Sequence, residues 1–352
     1  MDELEKNSIP CIGPTKDLAQ IETSKGFTRD LFVEYNISGS AKYKKFDSLQ
    51  GVQDFLNILQ DRYVIKADGL MGGKGVKVSG DHLNSHSEAI NYCQELINKS
   101  SSFIIEEKFI GQEFSLMSFS DGKNLIHMPP VQDNKRAFDG DQGPNTGGMG
   151  SYSSADHLLP FLNQGDVAVA QLINETTAKA LREKFGRGYK GILYGGFIKA
   201  KDGIKLIEYN ARFGDPEVMN VLSILDCDFV DLCLSIIFEK LDKQDVKFLN
   251  KATVCKYAVP NGYPADPIID QVIDISEVKD EENLYYGSVD ILDGKLIEKG
   301  SRTICCVGID NSIESATDIV ENSINKIEGP LFHRQDIGTA EYLDTKRDFC
   351  LN

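Results

Sequence analysis

The stretch Gln132-Asp133-Asn134-Lys135-Arg136-Ala137-Phe138-Asp139-Gly140-Asp141-Gln142-Gly143-Pro144-Asn145-Thr146-Gly147-Gly148-Met149-Gly150 packs cations, carboxylates and amides into nineteen residues. Five of them are glycine and one is proline, a composition that argues against an ordinary helix or strand. A loop of this length is usually functional or disordered. Backbone amides left open by missing side chains, beside Lys135, Arg136, Asn145 and Thr146, suit an anionic ligand. The alternative is a solvated surface loop, so the choice depends on what the rest of the chain sets beside it.

Downstream, residues 192–200 and 204–210 read as a hairpin turning at Asp202-Gly203. Its second strand runs into Glu208-Tyr209-Asn210-Ala211-Arg212-Phe213-Gly214-Asp215-Pro216-Glu217. On a strand, Glu208, Asn210 and Arg212 point to one face. A carboxylate beside an amide oxygen suits Mg²⁺, a hard cation that also takes phosphate oxygens and water. Arg212 on the same face can clamp a carboxylate or phosphate. The competing reading is the polar face of an edge strand. Pro216 is placed in the first turn of a helix running to about 240.

Upstream, residues 63–78 read as a basic hairpin with the tip Gly72-Gly73-Lys74-Gly75. Its amides can close over a triphosphate while Lys66 and Lys74 neutralise charge. The P-loop spacing is absent, and a strand follows where a helix would. Residues 103–107 read as a strand, with Glu106 and Glu113 placed to bind a purine amine and ribose hydroxyls, or else as surface acids. A helix over about 15–35 would carry Lys25 in its middle, and Ile9 to Ile12 read as a short strand. Gly186-Arg187-Gly188-Tyr189-Lys190-Gly191 matches G-x-G-x-x-G but follows a helix and precedes a strand, the reverse of a dinucleotide fingerprint. A helix over 166–185 precedes it. Residues 251–352 read as a small α+β module with no catalytic cluster.

Composition sets the bounds. The chain has 352 residues, 41% hydrophobic and 26% charged, with net charge −16. That points to two or three domains and argues against nucleic-acid or membrane surfaces as partners. An anionic substrate would then need a local basic pocket. No apolar run reaches a membrane span, and the N-terminus lacks the apolar core of a secretion signal. The eight cysteines form no C-x-x-C pair, which fits free thiols in a reducing cytoplasm. His82 and His86 are four apart but lack acidic ligands at metal-site spacing.

In their order, the basic hairpin, carboxylate-ended strand, glycine loop and Glu-x-Asn strand describe a nucleotide held between two sheets. These residues resemble the phosphoribosylamine–glycine ligase family of ATP-grasp ligases. The motifs are Gly13-Pro14-Thr15 with Ser24-Lys25, the 64–69 and 72–76 segments, Glu106-Glu107 with Gly111-Gln112-Glu113, the 132–150 stretch, and 208–217. Gly300-Ser301-Arg302 and the 332–338 segment are similar to the family's C-terminal domain. The 143–150 and 212–217 motifs are far more specific than the generic nucleotide clamp.

The resemblance implies an α+β ATP-grasp fold. Residues 1–14 would be the remnant of an N-terminal domain, 15–250 the ATP-grasp domain with a lid at about 40–107, and 251–352 a C-terminal α+β domain. It implies a glycine ligase of de novo purine synthesis that uses ATP with Mg²⁺ or Mn²⁺. Lys25, Lys66, Lys74, Arg136 and Asn145 would contact the triphosphate. Glu106, Glu107, Lys108 and Phe109 would bind adenine, partly through backbone, and Glu113 the ribose. Glu208 and Asn210 would hold the metal. Asp133, Thr146, Gly147, Gly214 and Pro216 would bind substrate, with Arg212, Lys135 and Asp215 catalytic. The family opens with a further domain bearing a G-x-G-G-R-E-H loop, and no such segment occurs here. A separate chain supplying it is therefore an expected partner on one alternative, an ATP-binding remnant inactive alone. The other alternative is an ATP-grasp ligase for a different carboxylate and amine. Asn134 also stands where the family has His, and Met71 where it has a small residue.

Overall fold

The computed structural model describes residues 1–69, 75–99, 102–279 and 283–351. Every pairing between its strands is antiparallel. One four-stranded sheet has the order Tyr43–Phe46, Phe103–Glu107, Tyr63–Ala67, Val76–Val78. The helices Val52–Leu59 and His86–Asn98 cover it and bury Leu56, Ile65, Cys93 and Phe103 completely. A second sheet has the order Gly203–Asn210, Lys190–Ala200, Gly111–Asp121, Leu125–His127. The helix Gln164–Phe185 lies on it, and each fully buried Leu or Phe there is worth roughly 1.5–3 kcal/mol. Asn163 and Asp166 form a reciprocal capping box at that helix's start.

A third sheet joins Gln132–Asp133 and Gly150–Ser153 to Ala252–Pro260, Ile304–Asp310 and Leu284–Tyr286, with Leu331–Phe332 at one end. It crosses the boundary placed at residue 250. The C-terminal segment therefore shares a sheet with both ends of the 132–150 stretch. That stretch is a hairpin rather than an open loop. Arg136–Phe138 pairs with Gln142–Asn145 around a 3₁₀ turn, Asp139–Asp141. Short strands fit between the glycines, which the composition argument did not allow for.

Three further expectations change. Ile9 to Ile12 form no strand, because no neighbouring strand accepts their backbone groups, and Ile9 is half exposed. The 15–35 helix breaks at Ser24, whose side chain accepts from Phe27 N and caps a new helix, Lys25–Glu34. Lys25 is thus a first-turn residue, not a mid-helix one. The helix after Pro216 ends at Leu222, and a second, Phe229–Ile237, starts on an Asp228 cap. The G-x-G-x-x-G match is structural: Gly186 is the left-handed cap of the 164–185 helix, and a Cβ on Gly188 would sit 1.9 Å from Gly122 O.

Among the described residues, no helix is long and apolar enough to cross a membrane. Seven of the eight cysteines have described side chains, and these are free thiols.

One buried ion network makes a pH prediction. Lys256 is fully buried and donates to Glu321 at 2.6 Å, while His333 Nε2 lies 3.1 Å from the other Glu321 oxygen. Burial alone would raise the Glu321 pKa, but hydrogen bonds from His333 and Lys256 bring it down to about 2. A depressed carboxylate stabilises the fold above its unfolded pKa of 4.5 and loses that contribution as pH falls towards 2. Glu321→Gln is expected to cost on the order of 3 kcal/mol at pH 7. Urea midpoints of the two proteins should converge between pH 4.5 and 2. A pH-independent gap would refute this account.

Candidate functional site

Two adjoining cavities open along the edge of the Gly203–Asn210 strand, and both are lined by Ile207 and Glu208. One is completed by Lys25, Thr28, Arg29 and Tyr209. The other is completed by Glu113, Ser115, Asp133, Lys135 and Tyr194. The strand's alternation sends Glu208 and Asn210 the same way, and both are half-buried. Neither side chain has a hydrogen-bond or ion-pair partner among the described residues. Two uncommitted oxygen donors at a cleft fit a hard divalent cation that completes its shell with phosphate and water. Among the described residues, no group of three or more His, Cys, Asp or Glu could hold a metal unaided.

Opposite the strand stands the 132–136 segment. Lys135 Nζ lies 3.0 Å from Glu113 Oε2. Glu113 chiefly, then Asp133 and Glu208, hold this ammonium above its ordinary pKa. Lys135 in turn lowers the Glu113 carboxyl. Asp133 is pushed the other way, by burial and by the charge of Glu217, and its Oδ1 is enclosed without a partner. Glu217 is buried and accepts from Tyr194 OH at 2.7 Å. Gly148 makes the crowding possible, since a Cβ there would meet Asp133 Oδ1 at 2.5 Å.

Arg29, Lys66 and Glu106 form a buried triad. Glu106 accepts from Arg29 Nε at 2.8 Å and pairs with Lys66. Arg29 and Lys66 both also donate to Ile207 O, at 2.8 and 3.3 Å. Burial would raise the Glu106 pKa, but the two cations outweigh it and hold the carboxyl below its usual range. Glu106 is therefore the counter-ion of two buried cations. Glu107 accepts from Lys42 N, and Lys108 donates to Ser79 O, so these side chains are also committed. Phe109 is half-buried beyond them. Lys25 Nζ donates to Gly69 O at 3.1 Å, and Asp68 fixes that helix start through Gly26 N. Lys74 lies outside the described residues.

The hairpin places Arg136 directly opposite Asn145, and Arg136 Nη1 donates to Gly143 O at 2.9 Å. Thr146 is tied to Lys135 O by its amide and hydroxyl, at 2.7 and 2.9 Å. Arg212 is exposed, with Nη1 on Phe213 O. Gly214 N donates to Met117 Sδ, and Pro216 packs against the 148 turn. Asp215 is not a free acid. Arg302 grips it through Nη1 and Nη2 at 3.1 and 2.9 Å, and Tyr257 OH donates to it at 2.8 Å.

Residues that sequence reasoning left without roles support this site from far along the chain. Arg334, 1% exposed, donates to Asp336, to Asp141 and to Arg136 O. Asp141 also receives Tyr342 OH and Lys346 Nζ from the helix Ala340–Leu351. The same hydroxyl lies 2.6 Å from Oδ1 of the buried Asn134, so its one proton is shared between the two oxygens. The hairpin tip is thus clamped by the C-terminal segment. The paired charges of Arg334-Gln335-Asp336 were the available signal.

Known proteins match along the same line. A family model for the phosphoribosylglycinamide synthetase ATP-grasp (A) domain matches residues 23–218, and one for that synthetase's C domain matches 253–340. The phosphoribosylamine–glycine ligase of Methanococcus maripaludis is 47% identical over 352 residues, covering 97% of this chain and 79% of the relative. That of Methanosarcina barkeri is 46% identical, covering 99% and 79%. The crystal structure of the Thermotoga maritima phosphoribosylamine–glycine ligase superposes with TM-score 0.81 at 30% identity, over 92% of this chain and 81% of that one. The biotin carboxylase domain of a Hydrogenobacter thermophilus 2-oxoglutarate carboxylase shares the fold, with TM-score 0.72 at 13% identity over 97% and 75%. Sequence, fold and the two-cavity cleft together show that the chain belongs to the phosphoribosylamine–glycine ligase (phosphoribosylglycinamide synthetase) family of ATP-grasp ligases.

Proposed function

We propose that the chain is an ATP-dependent carbon–nitrogen ligase. It joins glycine to 5-phosphoribosylamine and releases glycinamide ribonucleotide, ADP and phosphate, a step of de novo purine synthesis. The observation that carries this reading is the match of both the ATP-grasp and C-domain models to a chain in which Glu113, Asp133, Lys135 and Glu208 line one cleft. A carboxylate is a poor electrophile, so ATP first converts glycine to an acyl phosphate, which the amine of phosphoribosylamine then attacks. Such chemistry asks the protein mainly to position groups and to neutralise the transferring phosphoryl.

In this reading Lys25, Lys66, Arg136 and Asn145 attend the triphosphate. The main chain of 107–109 takes adenine, since its side chains are occupied elsewhere, and Glu113 takes the ribose. Glu208 and Asn210 would hold Mg²⁺ or Mn²⁺, which when bound neutralises phosphate oxygens. Lys135, Arg212 and Thr146 face the reacting carboxyl, with Asp133, Gly147, Gly214, Asp215 and Pro216 shaping the amine side. Residues 40–107 act as the lid, closing over ATP and excluding water.

Coupled detection of ADP tests the reading. ADP release should require glycine and phosphoribosylamine together and should vanish with a chelator. Turnover with a different acid and amine, and none with this pair, would sink it.

A further inference from the structure

The Gly300-Ser301-Arg302 turn has no part in the reaction as described so far. Arg302 belongs to the C-terminal segment, and its guanidinium lies over the Tyr257 ring at 4.7 Å and meets the 147–148 turn. Nη1 donates to Gly147 O and Asp215 O, both at 3.0 Å, and lies 3.4 Å from Gly148 O. Nη1 and Nη2 together grip the Asp215 carboxylate at 3.1 and 2.9 Å. A guanidinium carries five N–H groups in two kinds of fork. The fork made by the two terminal nitrogens is spent on Asp215. The second fork, Nε–H with the outer N–H of Nη2, meets no acceptor among the described residues.

That second fork is also kept open. The Arg302 side chain is 19% exposed. Gly147 lies against it, and a Cβ at 147 would stand 3.0 Å from Cζ and 3.1 Å from both Nε and Nη2. A glycine at that point lets the 147 backbone pack close over the guanidinium face, with the Asp133 carboxyl near enough to feel the Arg302 charge. We infer that the Nε/Nη2 edge of Arg302 binds the oxyanion of a substrate, a carboxylate or a phosphate, through two parallel hydrogen bonds. The inference rests on the ligase reading and extends it. Two substrates carry such a group, glycine through its carboxylate and phosphoribosylamine through its phosphate. Asp215 and Tyr257 hold the guanidinium in place from the opposite side.

The test is steady-state kinetics of the full chain, varying glycine and phosphoribosylamine separately, for wild type, Arg302→Lys, Arg302→Met and Gly147→Ala. Arg302→Met is expected to raise one substrate's KM roughly 10- to 100-fold, the loss of a charged hydrogen-bond pair, with the KM for ATP unchanged. Arg302→Lys should recover only part, because an ammonium cannot make the fork. A rise for glycine assigns the carboxylate, and a rise for phosphoribosylamine assigns the phosphate. Gly147→Ala retains the Arg302 charge but presses on the guanidinium face and displaces its fork, and should raise the same KM. It therefore answers the question even if Arg302→Met fails to fold. If neither variant moves either KM by more than twofold, or only kcat falls, the inference is wrong. Absence of glycine- and phosphoribosylamine-dependent turnover in wild type would instead remove the ligase reading itself.

Discussion

Glu106→Gln is expected to destabilise the lid-side half of the molecule by about 3–5 kcal/mol, the cost of leaving buried charge uncompensated. Arg29 is 2% exposed and Lys66 4%, and Glu106 is the carboxylate that both of them pair with. Arg29 already has one terminal nitrogen enclosed without an acceptor. Removing the remaining anion would leave two cations facing Ile207 O alone. Denaturant unfolding followed by a probe on the lid sheet would measure the loss. The same variant should recover unusually well with Mg-ATP, because a triphosphate supplies the missing negative charge. Because the gain is RT ln(1 + [L]/Kd), the diagnostic result is a larger gain for the variant than for wild type at one fixed Mg-ATP concentration. An unchanged unfolding midpoint would show that the triad contributes nothing to stability.

Arg212→Met is expected to lower kcat by about 10²–10³-fold while leaving the KM for ATP within a few-fold of wild type. That is the usual cost of removing one donor aimed at charge that develops during reaction. The side chain is exposed, and only a neighbouring carbonyl, Phe213 O, engages it. It therefore has little role in the fold, and the melting temperature should stay near that of wild type. A large rise in the KM for ATP with normal kcat would place Arg212 on the nucleotide instead.

Much of the architecture was legible because it is local. Asp121-Gly122, Asp202-Gly203 and Asp293-Gly294 mark turns, and strands meet across each of them. Alternation put Glu208 and Asn210 on one face of the strand, and Glu208 lines both cavities. What escaped is non-local or concerns breaks. Arg29 and Glu106 are 77 residues apart, and Arg302 meets Gly147 across 155. No periodicity within a window of a dozen residues can pair such groups. The break at Ser24 turns on a capping hydroxyl competing with helix continuation, and a run of apolar positions does not reveal which wins. The hairpin inside 132–150 was hidden because glycine was read as a breaker, whereas here it lets short strands turn tightly.

The strand Gly150–Ser153 pairs with Ala252–Pro260, register Gly150 opposite Lys256. A ribosome that has delivered only the first 250 residues has therefore made a strand with one long neighbour still unsynthesised. Its backbone donors and acceptors wait exposed, an invitation to pair with another nascent chain. The floor on which substrate rests is completed last, so a message or protease cut near 250 would yield a sticky fragment rather than a slower enzyme.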